Sequence, residues 1–337
     1  MKNKALLMTL LAFFVLVGVG VSQELGWFSL TSQSQATKAK LGVLQFVSHP
    51  SLDEIYQGIQ AGLEEEGYGK EKLDIQFLNG QADQSKLTLM SQQLIEGGNQ
   101  VLLGIATPAV QSLANASKDL PVIMGAVSDP VGANLVKDPE HPGGLITGVS
   151  DQNPAAQQVT LIQTLTPTVK KIGALYSSGE DNSKSQVAEF KEAAEKAGLE
   201  VVEQAVPSTN ELNQAVGVLT DKVDAIWVPI DNTIASAFST VVAANQSAKL
   251  PLYPSAGAMV EAGGLASVVV DQFELGRATG KMTARVLKGE QPGAIPVEFF
   301  SQGKSVLNTQ VANDLGIRIP EDIKKNAQLV VTSQTEE

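Results

Sequence analysis

Ser48 and His49, Thr107 and Pro108, Ala126, and Ser150 and Asp151 each follow or close an apolar run in the first half of the chain. Tyr176 and Ser177, Asp231 and Asn232, Ser255 and Asp271 do the same in the second half. Hydroxyls, amides and carboxylates at the carboxyl ends of strands are the groups that meet a ligand in open parallel sheets. Several of these residues also open helices, whose first N–H groups lack an intrahelical partner and attract carboxylates. Ser, Thr, Asp and Asn are equally the residues that cap ordinary helices, and that alternative stands for any one of them. As a set they suit a zwitterion. Ser48, Thr107 and Ser177 are candidates for its carboxylate; Asp231, Asp151 and Asp271 are candidates for its ammonium, which is costly to bury without a paired anion. No strand end carries Arg or Lys, which disfavours phosphate esters and dicarboxylates as cargo. His49, beside Pro50, is open as a loop residue or a ligand contact. Tyr176 could flank an aromatic ligand.

The elements that must position these groups alternate short apolar strands with amphipathic helices, the pattern of α/β architecture with parallel sheets. Strands are expected at 41–47, 73–78, 100–105, 122–125 and 145–149, with a helix over 52–67 carrying Ile55, Ile59 and Leu63 at helical spacing. The order then repeats. Lys40-Leu-Gly-Val-Leu matches Lys171-Ile-Gly-Ala-Leu, Gly67 matches Gly198, and Leu120-Pro121 matches Leu250-Pro251. Asp151-Gln152 and Asp271-Gln272 each join a strand to a helix. Two similar Rossmann-like lobes are expected, with these two Asp-Gln pairs at the crossings between them. The first lobe is placed at 40–149 plus 273–290, the second at 150–271 plus 295–330.

Composition removes whole classes of function. The 337 residues carry a net charge of −12 and no cysteine, with His49 and His141 the two histidines. An acidic surface disfavours nucleic acid. Thiol catalysis, disulfides and multi-histidine zinc sites are excluded or improbable. No Ser-centred elbow, P-loop or GxGxxG follows a strand, so neither catalysis nor a cofactor is expected. Lys2 and Lys4 precede an apolar run from Ala5 to Val21, the pattern of an export signal. Residues 1–22 are expected to be a signal peptide or signal anchor and 23–39 a flexible tether, which places the body outside the cytoplasmic membrane or in secreted form. Without a cysteine, it is not a lipoprotein.

QFVSHPSLDEIYQGIQAGLEEEGY, ATPAVQSLANASKDLPVIMGAVSDPVGANLV, TGVSDQNP, VPIDNTIASAF and DQFELGRATGKMTARVLKGEQP resemble the ABC-transporter substrate-binding proteins of tryptophan or tyrosine uptake. The likeness covers nearly all of residues 40 to 300. It implies the type I periplasmic-binding fold, hinge closure over an aromatic amino acid, and permease and ATPase partners. Ser48 departs from it, since family members often carry an acidic residue there. A monomer is expected. The rival readings are a sensor ectodomain of the same fold, or a secreted hydrolase with a two-lobed cleft.

Overall fold

The structure is a computed structural model and describes residues 38–152 and 154–333. The expected signal segment and most of the expected tether lie outside the described residues. No helix among the described residues is long and apolar enough to cross a membrane.

From the amino-terminal side come β1 (Ala39–Gln45), α1 (Pro50–Glu65), β2 (Leu73–Asn79), α2 (Gln84–Glu96), β3 (Val101–Ile105), α3 (Thr107–Ala116), β4 (Val122–Gly125) and β5 (Ile146–Ser150). β3 and β4 are buried along their whole length, which is why they read as unbroken apolar runs rather than alternating ones. Pro50 sits at the start of α1, where its missing N–H costs nothing, and Ser51, Leu52, Ile55, Ile59 and Leu63 turn inward. Gly67, at φ +84°, supplies the left-handed turn just beyond it.

The chain then leaves this sheet. It builds α4 (Ala155–Leu165), β6 (Lys171–Ser177), α5 (Asp181–Lys196), β7 (Glu200–Val206), α6 (Leu212–Thr220), β8 (Ala225–Val228), α7 (Asn232–Ala235), α8 (Phe238–Asn245), β9 (Leu252–Pro254), α9 (Gly257–Glu261) and β10 (Ala266–Val269). β6, β7, β8 and β9 form a parallel sheet in the order β7-β6-β8-β9. One apolar cluster includes Trp227 stacked on Phe190 at 3.9 Å between centroids; another gathers around Leu175, Ile226 and Val228.

α10 (Gln272–Leu287) returns to the first sheet and packs along α1. β11 (Glu298–Phe299) follows it and pairs in parallel with Val149 and Ser150, completing the order β11-β5-β4-β3-β1-β2. The last stretch, β12 (Lys304–Asn308), α11 (Thr309–Asp314), α12 (Glu321–Asn326) and β13 (Gln328–Val330), joins β10 in a three-stranded sheet. That sheet continues from the second-lobe sheet, because Leu265 N donates to Leu252 O at 2.7 Å. The chain therefore passes between lobes around 151–154, 270–271 and 301–303.

The carboxy-terminal boundary differs from the sequence expectation. The sequence places residues from 295 in the second lobe, yet Ile295 and Val297 are buried in the first-lobe core. Thr147 Oγ1 donates to Ile295 O at 2.7 Å. The segment covers the edge of β5 that would otherwise stand open, a requirement of the sheet that no local pattern in 295–300 announces.

α1 and α10 touch backbone to backbone. A Cβ added at Gly58 or Gly62 would lie 2.1 Å from a carbonyl oxygen of α10, and one at Gly276 or Gly280 would lie 2.1 or 2.2 Å from a carbonyl of α1. These glycines hold the amino-terminal ends of both helices at the same side of the first lobe.

Candidate ligand-binding cleft

The carboxyl ends of the two parallel sheets face each other across a narrow cavity. From the first lobe it is lined by His49, Ser51, Leu52, Thr107, Ala126, Ser128 and Asp151, with Gln272 from α10. From the second lobe come Asn182, Ile230, Asp231, Asn232, Ala235, Ser255, Ala256 and Met259. Of the residues singled out from sequence, His49, Thr107, Ala126, Asp151, Asp231, Asn232 and Ser255 are thus brought together.

The others are placed elsewhere. Ser48 is exposed and donates to Asp53 Oδ2 at 2.7 Å. Pro108 is packed inside the first turn of α3. Ser150 is buried beneath Ser128, donating to its carbonyl at 3.3 Å. Tyr176 donates its hydroxyl to Glu203 at 3.3 Å, away from the cavity. Ser177 uses its N–H on Asp231 Oδ2 at 2.6 Å. Asp271 caps α10, accepting from Glu274 N at 3.0 Å.

Ser51, Leu52, Asn182, Ala235 and Met259 were not anticipated. Pro50 was a usable signal for the first two, since it marks a helix start as Pro108 does. Asn182 had none: it lies one residue inside α5, in a polar run with no pattern to single it out.

Ala106 and Ala126, at the ends of the neighbouring strands β3 and β4, have φ of +77° and +58°. Left-handed backbone at a residue with a Cβ is costly and tends to persist where the site requires it. Here it turns the chain sharply at the cavity wall.

Asp151 is buried, and among the described residues Ser128 is its one side-chain hydrogen-bond donor, at 2.9 Å. The Ser128 oxygen in turn accepts from Gln186 Nε2 at 3.3 Å, which fixes its proton on the Asp151 side. Burial pushes the Asp151 carboxyl up from 3.8 to about 7, opposed by the Ser128 hydrogen bond. Asp231 is surrounded differently. It accepts from Ser177 N at 2.6 Å, Ser183 Oγ at 2.8 Å and Ile234 N at 2.9 Å, and so knits β6, α5 and α7 together. Burial, then the nearby Glu180 carboxylate, push it up as well. Glu180 accepts from Thr233 N and Oγ1, both at 2.7 Å, and from Asn232 Nδ2 at 2.6 Å. Sequence reading ranked Asp231 with Asp151 as an ammonium partner. Asp231 already has three donors, whereas Asp151 has unused acceptor capacity.

His49 Nε2 lies 3.3 Å from Asn232 Oδ1, across the cleft. Because the Asn232 amide nitrogen is held by Glu180, its oxygen faces His49, and Nε2 is the donor. Burial lowers the His49 pKa. Ser185 Oγ donates to Asp129 Oδ2 at 2.6 Å, Gln111 Nε2 to Asp181 Oδ2 at 3.1 Å, and Gln84 Nε2 to Gly179 O at 3.1 Å. All bridge the lobes, so the cleft is closed. Two buried polar atoms on its wall, Asn182 Oδ1 and Ser255 Oγ, have no hydrogen-bond partner among the described residues.

A cavity shut between two parallel-sheet lobes joined by several chain crossings defines a solute-binding protein of the type I periplasmic-binding fold. The sequence model of ABC transporter substrate-binding proteins matches residues 40–331, and the chain belongs to that family. It is 35% identical over 324 residues to a protein of Clostridioides difficile (strain R20291) named tyrosine-binding protein, covering 94% of each chain. It is 65% identical to the ABC domain of Streptococcus pneumoniae solved in complex with L-Trp, with a TM-score of 0.86 over 88% of this chain and 100% of that one. A substrate-binding protein with adhesive properties from Clostridium difficile, solved in a ligand-free, open structure, is 34% identical with a TM-score of 0.67, covering 88% of this chain and 100% of that one.

Proposed function

We propose that the protein is the extracytoplasmic receptor of an ABC importer and that its cargo is an amino acid with a large apolar side chain, Trp, Tyr or Phe. The observation that carries the reading is the pairing, in one enclosed cavity, of a buried carboxylate having spare acceptor capacity with the free amino-terminal end of a long helix. Asp151 takes the ammonium. The N–H groups of Ser51 and Leu52, in the first turn of α1, and the Thr107 hydroxyl take the carboxylate. Leu52, Ala126, Ile230, Ala235, Ala256 and Met259 surround the side chain, the Met259 thioether being well suited to an aromatic edge. No Lys or Arg lines the cavity, so a second acidic group on the cargo would go unpaired. The cargo named for the pneumococcal and clostridial relatives agrees with this chemistry.

Binding proceeds by hinge closure. Ligand bound to one lobe adds contacts with the other, and the cross-cleft hydrogen bonds of His49, Asp129, Gln111 and Gln84 form together with them. The closed form then docks on a membrane permease whose ATPase is a separate chain. Thermal unfolding in the presence of each of the twenty amino acids tests the cargo. Ligand at about a hundred times its Kd stabilises by roughly 2.7 kcal/mol, so Trp, Tyr or Phe should raise Tm by several degrees. No shift with any amino acid would refute the reading.

A further inference from the structure

Asn182 is almost completely buried, yet its side-chain oxygen has no partner. Its amide cannot be turned round to cure this. Nδ2 lies 2.8 Å from Ile230 O, 3.4 Å from Glu180 Oε2 and 3.4 Å from Ser183 Oγ. The first is a backbone carbonyl, and the second already accepts from Asn232 Nδ2 at 2.6 Å, so both are acceptors. The third acts as an acceptor too, because Ser183 gives its proton to Asp231 at 2.8 Å. A reversed amide would aim an oxygen at three oxygens, so Oδ1 is committed to the cavity side. A buried carbonyl without a donor costs about 1–3 kcal/mol, a penalty that folded proteins rarely carry without a use.

A ligand in the cavity can supply the donor, and its position is constrained. Gln186 Nε2 bonds both the Asn182 backbone carbonyl, at 3.1 Å, and the Ser128 hydroxyl, at 3.3 Å. Ser128 bonds Asp151. Asn182 and Asp151 therefore stand at the same end of the cavity, on opposite lobes, linked through one glutamine. The other acidic groups of the second lobe at this end, Glu180 and Asp231, each accept from at least three protein donors, and Asn232 Oδ1 faces His49. We propose that the Asn182 carbonyl oxygen is the second-lobe acceptor for the ligand ammonium, opposing the Asp151 carboxylate and contacting the ligand only when the lobes are closed. This rests on the amino-acid reading above. It gives closure a direct reward: the ammonium supplies the donor that Asn182 lacks.

The test compares Asn182→Ala with the wild-type protein by calorimetry. The ligands are whichever of L-Trp, L-Tyr or L-Phe the thermal screen selects, and its counterpart lacking the amino group, a 3-arylpropionic acid. Loss of a hydrogen bond to a charged group predicts roughly 10- to 100-fold weaker binding of the amino acid. Binding of the arylpropionate should change less than about threefold, a level that calls no charged contact into play. An equal loss for both ligands would make Asn182 a structural or side-chain contact and overturn the proposal. A crystal structure of the wild-type complex decides independently of whether the variant folds or the analogue binds measurably: the ligand nitrogen should be within hydrogen-bond distance of Oδ1, and a nitrogen held by Asp151 alone overturns it. Wild-type protein that binds no amino acid removes the cargo reading itself; binding without selective loss removes only the role of Asn182.

Discussion

Replacing Asp151 by Asn should move stability and affinity in opposite directions. The carboxylate is buried with a single side-chain donor among the described residues, and its pKa rises from 3.8 to about 7. At about 1.4 kcal/mol per decade, that gap corresponds to roughly 4 kcal/mol of destabilisation when the group is forced to ionise. Asparagine can still accept from Ser128 and carries no charge. The ligand-free variant at pH 8 should therefore unfold at a higher temperature than the wild type, by up to about 10 °C. Affinity should fall, because the ligand ammonium then meets no anion: truncating one partner of a buried charge pair costs about 2–5 kcal/mol, or roughly 30- to several-thousand-fold in Kd. Differential scanning calorimetry of the ligand-free protein and isothermal titration of the complex read the two effects separately. A variant with lowered Tm and unchanged affinity would show that Asp151 is a structural acceptor, and the assignment of the ammonium would be wrong.

The same carboxyl couples binding to pH. Unfolded, it ionises near 3.8; in the folded protein burial moves this to about 7. Its penalty is absent below pH 3.8, grows through the interval and is complete above about 7. The ammonium lowers the bound-state value, so binding below pH 7 expels a proton and Kd should rise by up to about tenfold per pH unit lost. His49 acts in the opposite sense on stability. Its folded pKa lies below the ordinary 6.5, so acid must charge a buried ring and the closed form weakens as pH falls beneath that value. Titration at pH 6 in buffers of different ionisation enthalpy should register the released proton in the wild type and none from this site in Asp151→Asn. A wild-type Kd constant from pH 5.5 to 7.5 would refute the coupling.

Three further outcomes follow from particular contacts. Gly276→Ala places a methyl 2.1 Å from Ile55 O, so α1 and α10 must separate; about 1–3 kcal/mol of stability should be lost, read as a drop in Tm, and an unchanged Tm would mean the helices slide freely. Ser255→Ala removes a hydroxyl with no protein partner, beside Ala256 and Met259. Ligand-free stability should hold or improve, Phe binding should change less than about twofold, and Trp or Tyr should weaken about fivefold if that hydroxyl meets the polar atom of their rings. Ser185→Ala breaks a cross-lobe bond outside the cavity, so small-angle scattering of the ligand-free protein should report a larger radius of gyration; an unchanged radius would show that the bond contributes nothing to closure.

Much of the framework was legible because it follows from one-dimensional patterns. Strands buried on both faces show as apolar runs, helix stops show as glycines, and strand ends show as the polar residues between them. The recurrence of Lys40-Leu-Gly-Val-Leu as Lys171-Ile-Gly-Ala-Leu predicts two lobes without any ligand in mind, and those segments form the equivalent strands β1 and β6. The limits lie where identical local sequence meets different surroundings. Asp271 opens α10 immediately and is used on the N–H of Glu274. Asp151 is separated from its helix by Pro154, cannot cap it, and is left buried beside Ser128 with capacity for a ligand. Pro154 was visible, and it is the residue that separates a capping aspartate from a binding one. Asn182 could not be found in the same way. Its importance comes from a negative fact, an oxygen without a donor, and that depends on Ile230 arriving from a distant segment to meet Glu180 and Ser183, which flank Asn182 at the start of α5. A pattern along the sequence records what a residue can bond; only the packed structure shows which of those bonds has been left for something else to make.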